Sequence, residues 1–220
     1  MSHDEWDARE EEYYDQLLKD FYQEHGPEIA SEAIDGFQTE RLQSYFTENP
    51  ALIELSVRQL TQSRHLLAAG FHDAAIVFAA SAIEVALKQA IFRPIVYGLV
   101  HSAPAAVVIA ELSLGHTALD RFKNLLLDVL SDLIGTKLRE YVHPESKKPL
   151  WEEIKATQDA RHAIVHRAES RTPQDADDAL RVASALVETL YPAVIQTVGL
   201  HLHGTTVCAK KECKPIKVKK

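Results

Sequence analysis

Arg161-His162-Ala163-Ile164-Val165-His166 is the stretch whose residue types could do chemistry. Histidine exchanges protons near neutrality because its unperturbed pKa is about 6.5. Arginine keeps its charge, and its planar fork matches phosphoryl oxygens. Together they suit proton transfer beside a phosphodiester. Their spacing raises a geometric problem. At about 100° per residue, Arg161 and His166 project roughly 140° apart on one helix. One straight helix would not aim both at the same phosphate. Either the helix frays there, or a second copy of the chain completes the site. His162 is a supporting polar group directly after the arginine. Arg167 and Arg171 follow, as phosphate-binding charges or as rim charges of little consequence.

Two other sets of residues stand out. Glu84 is an acid in an otherwise apolar stretch, and a buried charge needs a partner. Arg161, Arg64 or a neighbouring lysine, Lys88, would supply one; pairing with Arg161 would orient the motif arginine. Near the C-terminus, His201-x-His203-x4-Cys208-x4-Cys213 contains only zinc-ligand residue types. The spacing matches no common zinc finger and lacks a paired Cys-x2-Cys, so no metal is expected there.

The elements that must position these residues read as helices. An N-terminal helix is expected over Asp4–Glu24, ending before Gly26-Pro27, with a second short one over Thr39–Thr47. Asn49 as N-cap and Pro50 as first helical residue open a helix that runs to Ala69 and ends at Gly70. His72–Phe92 is apolar nearly all round and belongs at a bundle centre, with Pro94 breaking it. A short helix near Ala105–Leu112, an amphipathic helix over Thr117–Ile134 and a loop over Tyr141–Pro149 follow. The motif helix runs from Pro149 or Leu150 to about Arg167. Thr172-Pro173-Gln174-Asp175 sets a capping box for the last helix, which reaches about Leu200 with a kink near Pro192. No segment reads as a strand.

With these elements in place, the chain resembles the HEPN superfamily. That family's signature is Arg, four to six residues, then His, often with a polar residue directly after the Arg; Arg161, His162 and His166 match it. Leu66–Ile91 is similar to the family's long central hairpin, with an alanine-rich second helix and Glu84 where many members carry an acid. Thr172–Leu190 is similar to its closing helix. The resemblance covers about residues 50–195. Composition reads as an acidic helical extension over 1–48 and a basic tail over 201–220, and the resemblance implies an all-α, up-and-down bundle of four to five helices over 49–200. It also implies a metal-independent endoribonuclease that leaves 2′,3′-cyclic phosphate ends and uses no cofactor. His166 would transfer protons, Arg161 would meet phosphate charge, His162 would assist and Glu84 would support the site. Two copies would form a homodimer whose motifs line one cleft, which answers the geometric problem. A toxin or antiphage effector with an antitoxin or defence-system partner fits this reading. One departure is Ala168, where some family toxins carry a tyrosine that a nucleotidyltransferase antitoxin adenylylates. The alternative is a degenerate member that binds RNA, a nucleotide or a protein without cutting.

Composition bounds the setting. Residues 1–50 hold 14 acidic and 3 basic side chains, a net of −11, so the remainder contributes +3 to the total of −8. From Thr205 onward there are six lysines against Glu212. Such asymmetry suits a polyanion partner, and the acidic segment has the charge to cover a basic cleft until displaced. Two cysteines, Cys208 and Cys213, imply no disulfide framework, so the expected location is the cytoplasm. The acidic N-terminus is unlike a signal peptide. The apolar run Ala74–Ile91 is interrupted by Ser81, Glu84, Lys88 and Gln89, so a buried helix is expected rather than a membrane span.

Overall fold

The computed structural model describes residues 3–100, 102–115, 127–128, 131 and 146–209. In chain order the helices are α1 (His3–Glu48), α2 (Glu54–Ala68), α3 (His72–Val85), α4 (Arg93–Leu99), α5 (Ala103–Gly115), α6 (Leu150–Arg167), α7 (Pro173–Ser184) and α8 (Tyr191–Thr197). Two strands close the described chain, β1 (Leu200–His203) and β2 (Thr206–Ala209). The protein is thus mostly helical, with a small hairpin. It divides into two compact units, residues 1–40 and 41–220.

The most apolar stretch forms the most buried helix, as its composition dictates. In α3, Ala75, Ile76, Ala79, Ala82 and Ile83 have no solvent exposure. Their small side chains let α2, α6 and α7 pack closely around α3. Two buried serines of α2 are satisfied by α3 carbonyls. Ser56 Oγ donates to Ala82 at 2.6 Å and Ser63 Oγ to Ala75 at 2.8 Å. Burying a hydroxyl without such a partner would be costly. Gly70 ends α2 at φ 81°, a conformation that favours glycine. Among the described residues, the continuous helix His72–Gly98 is long and apolar enough to cross a membrane by length and composition, and 61% of its most apolar window is buried inside the protein.

Proline was expected to end helices at two places, Pro27 and Pro94, and to kink one near Pro192; at neither of the first two does it end the helix. Pro27 lies inside α1, which runs unbroken where two helices were expected. Stopping and restarting would orphan up to four N–H and four C=O groups, against one bond missing at Pro27. Pro94 was expected to break the central helix. Instead a π-helical segment, Ala86–Phe92, leads into α4, with Arg93 N–H bonded to Lys88 O. The same device precedes Pro192: Ala185–Leu190 is π-helical, and Tyr191 N–H bonds Leu186 O. The wider turn relieves the clash between the proline ring and the carbonyl four residues back. Asn49 and Pro50 do not start α2; the helix begins at Glu54 after a turn, without a side-chain cap.

The second unit holds the end of α1. Leu42 and Phe46 are buried in its core, and Arg41 caps the end of α4 by donating to Tyr97 O and Val100 O, both at 2.8 Å. The hairpin corrects the expectation that nothing forms a strand. Leu200 pairs with Ala209, His201 with Cys208, Leu202 with Val207 and His203 with Thr206. Leu200 and Val207 enter the core, with Leu202 and Ala209 packed against it. Gly204 turns the chain at φ 61°, as the first position of a type II′ turn requires. Val207 N–H reaches back to Pro50 O at 2.9 Å. The last helix therefore ends at Thr197 and not near Leu200. The helix expected over Thr117–Ile134 and the loop over Tyr141–Pro149 fall largely outside the described residues, as do Cys213 and the lysine-rich end.

Candidate functional site

Helix α6 carries the motif. Leu150, Trp151, Ile154, Thr157 and Ala163 form its buried stripe, which sets the opposite face toward solvent. Glu153 lies in that stripe, 6% exposed, and accepts from Arg181 Nη2 of α7 at 2.9 Å. Arg181 also donates to Asp178 at 2.8 Å. This pair fixes α6 against α7. Thr172 caps α7: its Oγ1 accepts from Asp175 N–H, and the Asp175 carboxylate accepts from Thr172 N–H at 2.9 Å and its hydroxyl at 2.8 Å. Those hydrogen bonds, the backbone one first, hold the Asp175 carboxyl below the usual aspartate range.

The C-terminal turns of α6 carry Arg161, His162 and His166. The helix is regular to Arg167, so it does not fray between Arg161 and His166. It ends at Ala168, which adopts the left-handed conformation at φ 53°. Arg161 is half-buried and has no hydrogen bond or ion pair among the described residues; His162 and His166 are exposed. Residues four apart lie on one face, and the His162 and His166 ring centroids are 4.5 Å apart. Within one chain the structure thus brings the two histidines together and leaves Arg161 turned away from His166.

For the supporting residues the structure selects among the expected alternatives, taking Lys88 as the partner of Glu84. Glu84 meets neither Arg161 nor Arg64. It accepts from Lys88 Nζ at 2.6 Å, its side chain is 45% exposed, and Arg64 pairs instead with Glu188 of the π-helical segment. The acid sits one turn before a lysine on the same face, so no burial cost calls for the motif arginine. Arg167 and Arg171 both converge on Glu169, whose carboxyl Arg167 pulls below its usual range. Their charge is therefore partly neutralised. Arg171 N–H also donates to Asp73 at 2.7 Å, tying this loop to the start of α3.

A cleft of about 380 Å³ lies between α6 and α7, lined by Lys148, Glu152, Glu153, Asp175 and Asp178 among others. Glu153 and Asp178 are both paired with Arg181, and Glu152 and Asp175 against Lys148 leave the cleft net acidic, which disfavours a phosphate backbone. Among the described residues no group of three or more His, Cys, Asp or Glu converges as a metal-ligand set. On the hairpin, His201 and His203 meet through their ring nitrogens and Cys208 faces His201 across the strands. Sequence reasoning missed this pairing and the Glu153–Arg181 pair. Glu153 was findable, because it falls in register with Leu150, Ile154 and Thr157 on the apolar side of α6. No protein-family model, curated protein or solved structure matches this chain.

Proposed function

We propose that the protein is a HEPN-type, metal-independent endoribonuclease that acts as a homodimer. Its up-and-down bundle of four to five helices would bring two copies of the Arg161–His166 turn to one cleft. The observation that carries this reading is a half-buried Arg161, unpaired among the described residues, beside an exposed His162–His166 pair at one helix end. A guanidinium without a protein partner is available to phosphoryl oxygens. Two imidazoles side by side offer one base for the 2′-hydroxyl and one acid for the leaving 5′-oxygen. Since Arg161 and His166 diverge on one helix, the arginine facing a given histidine pair would come from the other protomer. A toxin or antiphage role, with an antitoxin or defence-system partner, follows from this activity.

A second reading has its own support: a non-catalytic helical dimer that binds RNA, a nucleotide or a protein. Glu169 quenches Arg167 and Arg171, and the neighbouring cleft is acidic. Both features weaken affinity for a polyanion, so within this reading they favour the protein partner over RNA or a nucleotide. The test is cleavage of total RNA by the purified protein in EDTA, wild type beside His166→Ala, with the ends analysed. Cyclic phosphate ends that vanish in the variant support the nuclease. No cleavage by the wild type sinks it and favours the binding module.

A further inference from the structure

We infer that His201 and His203 form a two-histidine chelate for a divalent cation of the nickel or copper kind, on the hairpin and apart from the α6 motif. Residues two apart on a strand project to the same face. Here that face is outward, because Leu200 and Val207 occupy the inward one. The two Nε2 atoms are 2.7 Å apart, with ring planes inclined at 66°. Without a cation one neutral ring donates to the lone pair of the other, so the two nitrogens already lie side by side. His201 Nδ1 is buried without a hydrogen-bond partner among the described residues, so Nε2 is the nitrogen this ring can offer a ligand.

The two nitrogens can close on one cation. Nitrogen ligands about 2.0–2.1 Å from a metal stand about 2.9 Å apart in adjacent positions of a square-planar or octahedral site, and about 3.3 Å apart in a tetrahedral one. The observed 2.7 Å is the hydrogen-bond contact between the two rings, which must part slightly to reach either spacing. Tetragonal nitrogen coordination suits copper(II) and nickel(II), whereas structural zinc demands a tetrahedron. No third His, Cys, Asp or Glu completes the set among the described residues, so water fills the remaining positions. The expectation of no metal rested on zinc-finger spacing, which says nothing about a chelate formed by strand pleating.

The test is calorimetric titration of the untagged full chain with Ni²⁺, and separately with Zn²⁺. One Ni²⁺ per chain is expected, bound more tightly than Zn²⁺. His201→Ala or His203→Ala should weaken it on the order of a hundredfold, since a chelate becomes a single contact. His162→Ala should leave it unchanged. Copper(II) at one equivalent on the wild type should show electron-spin coupling to two imidazole nitrogens, a readout that needs no variant. Absence of Ni²⁺ binding overturns the assignment. So does undiminished binding in a His203→Ala chain with a wild-type far-UV spectrum, loss of binding in His162→Ala, or tighter binding of Zn²⁺ than of Ni²⁺.

Discussion

Single residues at the ends of α6 and α7 carry more consequence than their exposure suggests. Ala168 holds a left-handed φ of 53°, which costs an L-residue about 1–2 kcal/mol. Glycine removes that strain but gives back part of it through a freer unfolded chain. Ala168→Gly should therefore stabilise the protein by roughly 0.5 kcal/mol in urea unfolding; a destabilisation would mean the strain is not there. Asp175 supplies a pH dependence. Its folded pKa is depressed, so its contribution is present above the usual aspartate range of about 3.9 and is lost as pH falls through the folded value. Asp175→Asn should lower stability at neutral pH, and the gap to wild type should close as pH drops below about 4. A gap constant from pH 7 to 2 would show that charge is irrelevant there. Thr172→Ala removes the cap itself, at about 1 kcal/mol. At the motif, the proposed ribonuclease activity requires that His166→Ala abolish RNA cleavage while leaving thermal stability near wild type, because His166 is exposed.

At the scale of elements, close packing overrides propensity. Gly98 sits in α4, where alanine would ordinarily gain about 1 kcal/mol of helix propensity. A Cβ there would lie 2.7 Å from Leu42 Cδ2 and Cγ, and Leu42 is itself buried. Overpacking of this kind costs about 1–3 kcal/mol. Gly98→Ala should therefore destabilise by roughly 1 kcal/mol net; denaturant unfolding with an unchanged or higher midpoint would show that Leu42 moves aside freely. The same lesson runs through the prolines. Pro94 and Pro192 were legible as interruptions, but the interruption takes the form of π-helical turns. Packing on both sides keeps the helix going, because a π-turn loses less than exposing two apolar helix ends.

For the whole molecule, α1 belongs to both units. Within residues 13–40 its large apolar side chains, such as Tyr13, Leu17, Phe21 and Tyr22, are exposed, whereas Leu42 and Phe46 are buried in the core of the second unit. Deleting residues 1–38 should leave the melting temperature of the remainder within a few degrees. Deleting 1–48 removes two fully buried side chains, roughly 3–6 kcal/mol of burial, and should lower it by roughly 10 °C. Equal melting of both truncations would show that residues 41–48 contribute nothing to that core. The shorter deletion also removes most of the −11 charge, so comparing its RNA affinity with the full chain tests whether that charge opposes RNA binding.

Helical content, the buried character of Ala74–Ile91, the α6 boundaries and the capping box at Thr172 were legible in the sequence. Each depends on a local rule: period, turn residue or cap. The spacing of Arg161 and His166 already showed that one helix cannot aim both at one phosphate, and a regular α6 leaves that conclusion standing. What only the tertiary structure decided was partnership. Glu84 turned to Lys88, Arg64 to Glu188, Arg167 and Arg171 to Glu169, and Glu153 to Arg181. Several cations and acids lay within plausible reach of each, and only packing sets which is within about 3 Å. The hairpin belongs to the same class. Its strands have four residues each, too short for periodicity to speak, and it forms because Leu200 and Val207 find a core built by residues distant in the chain.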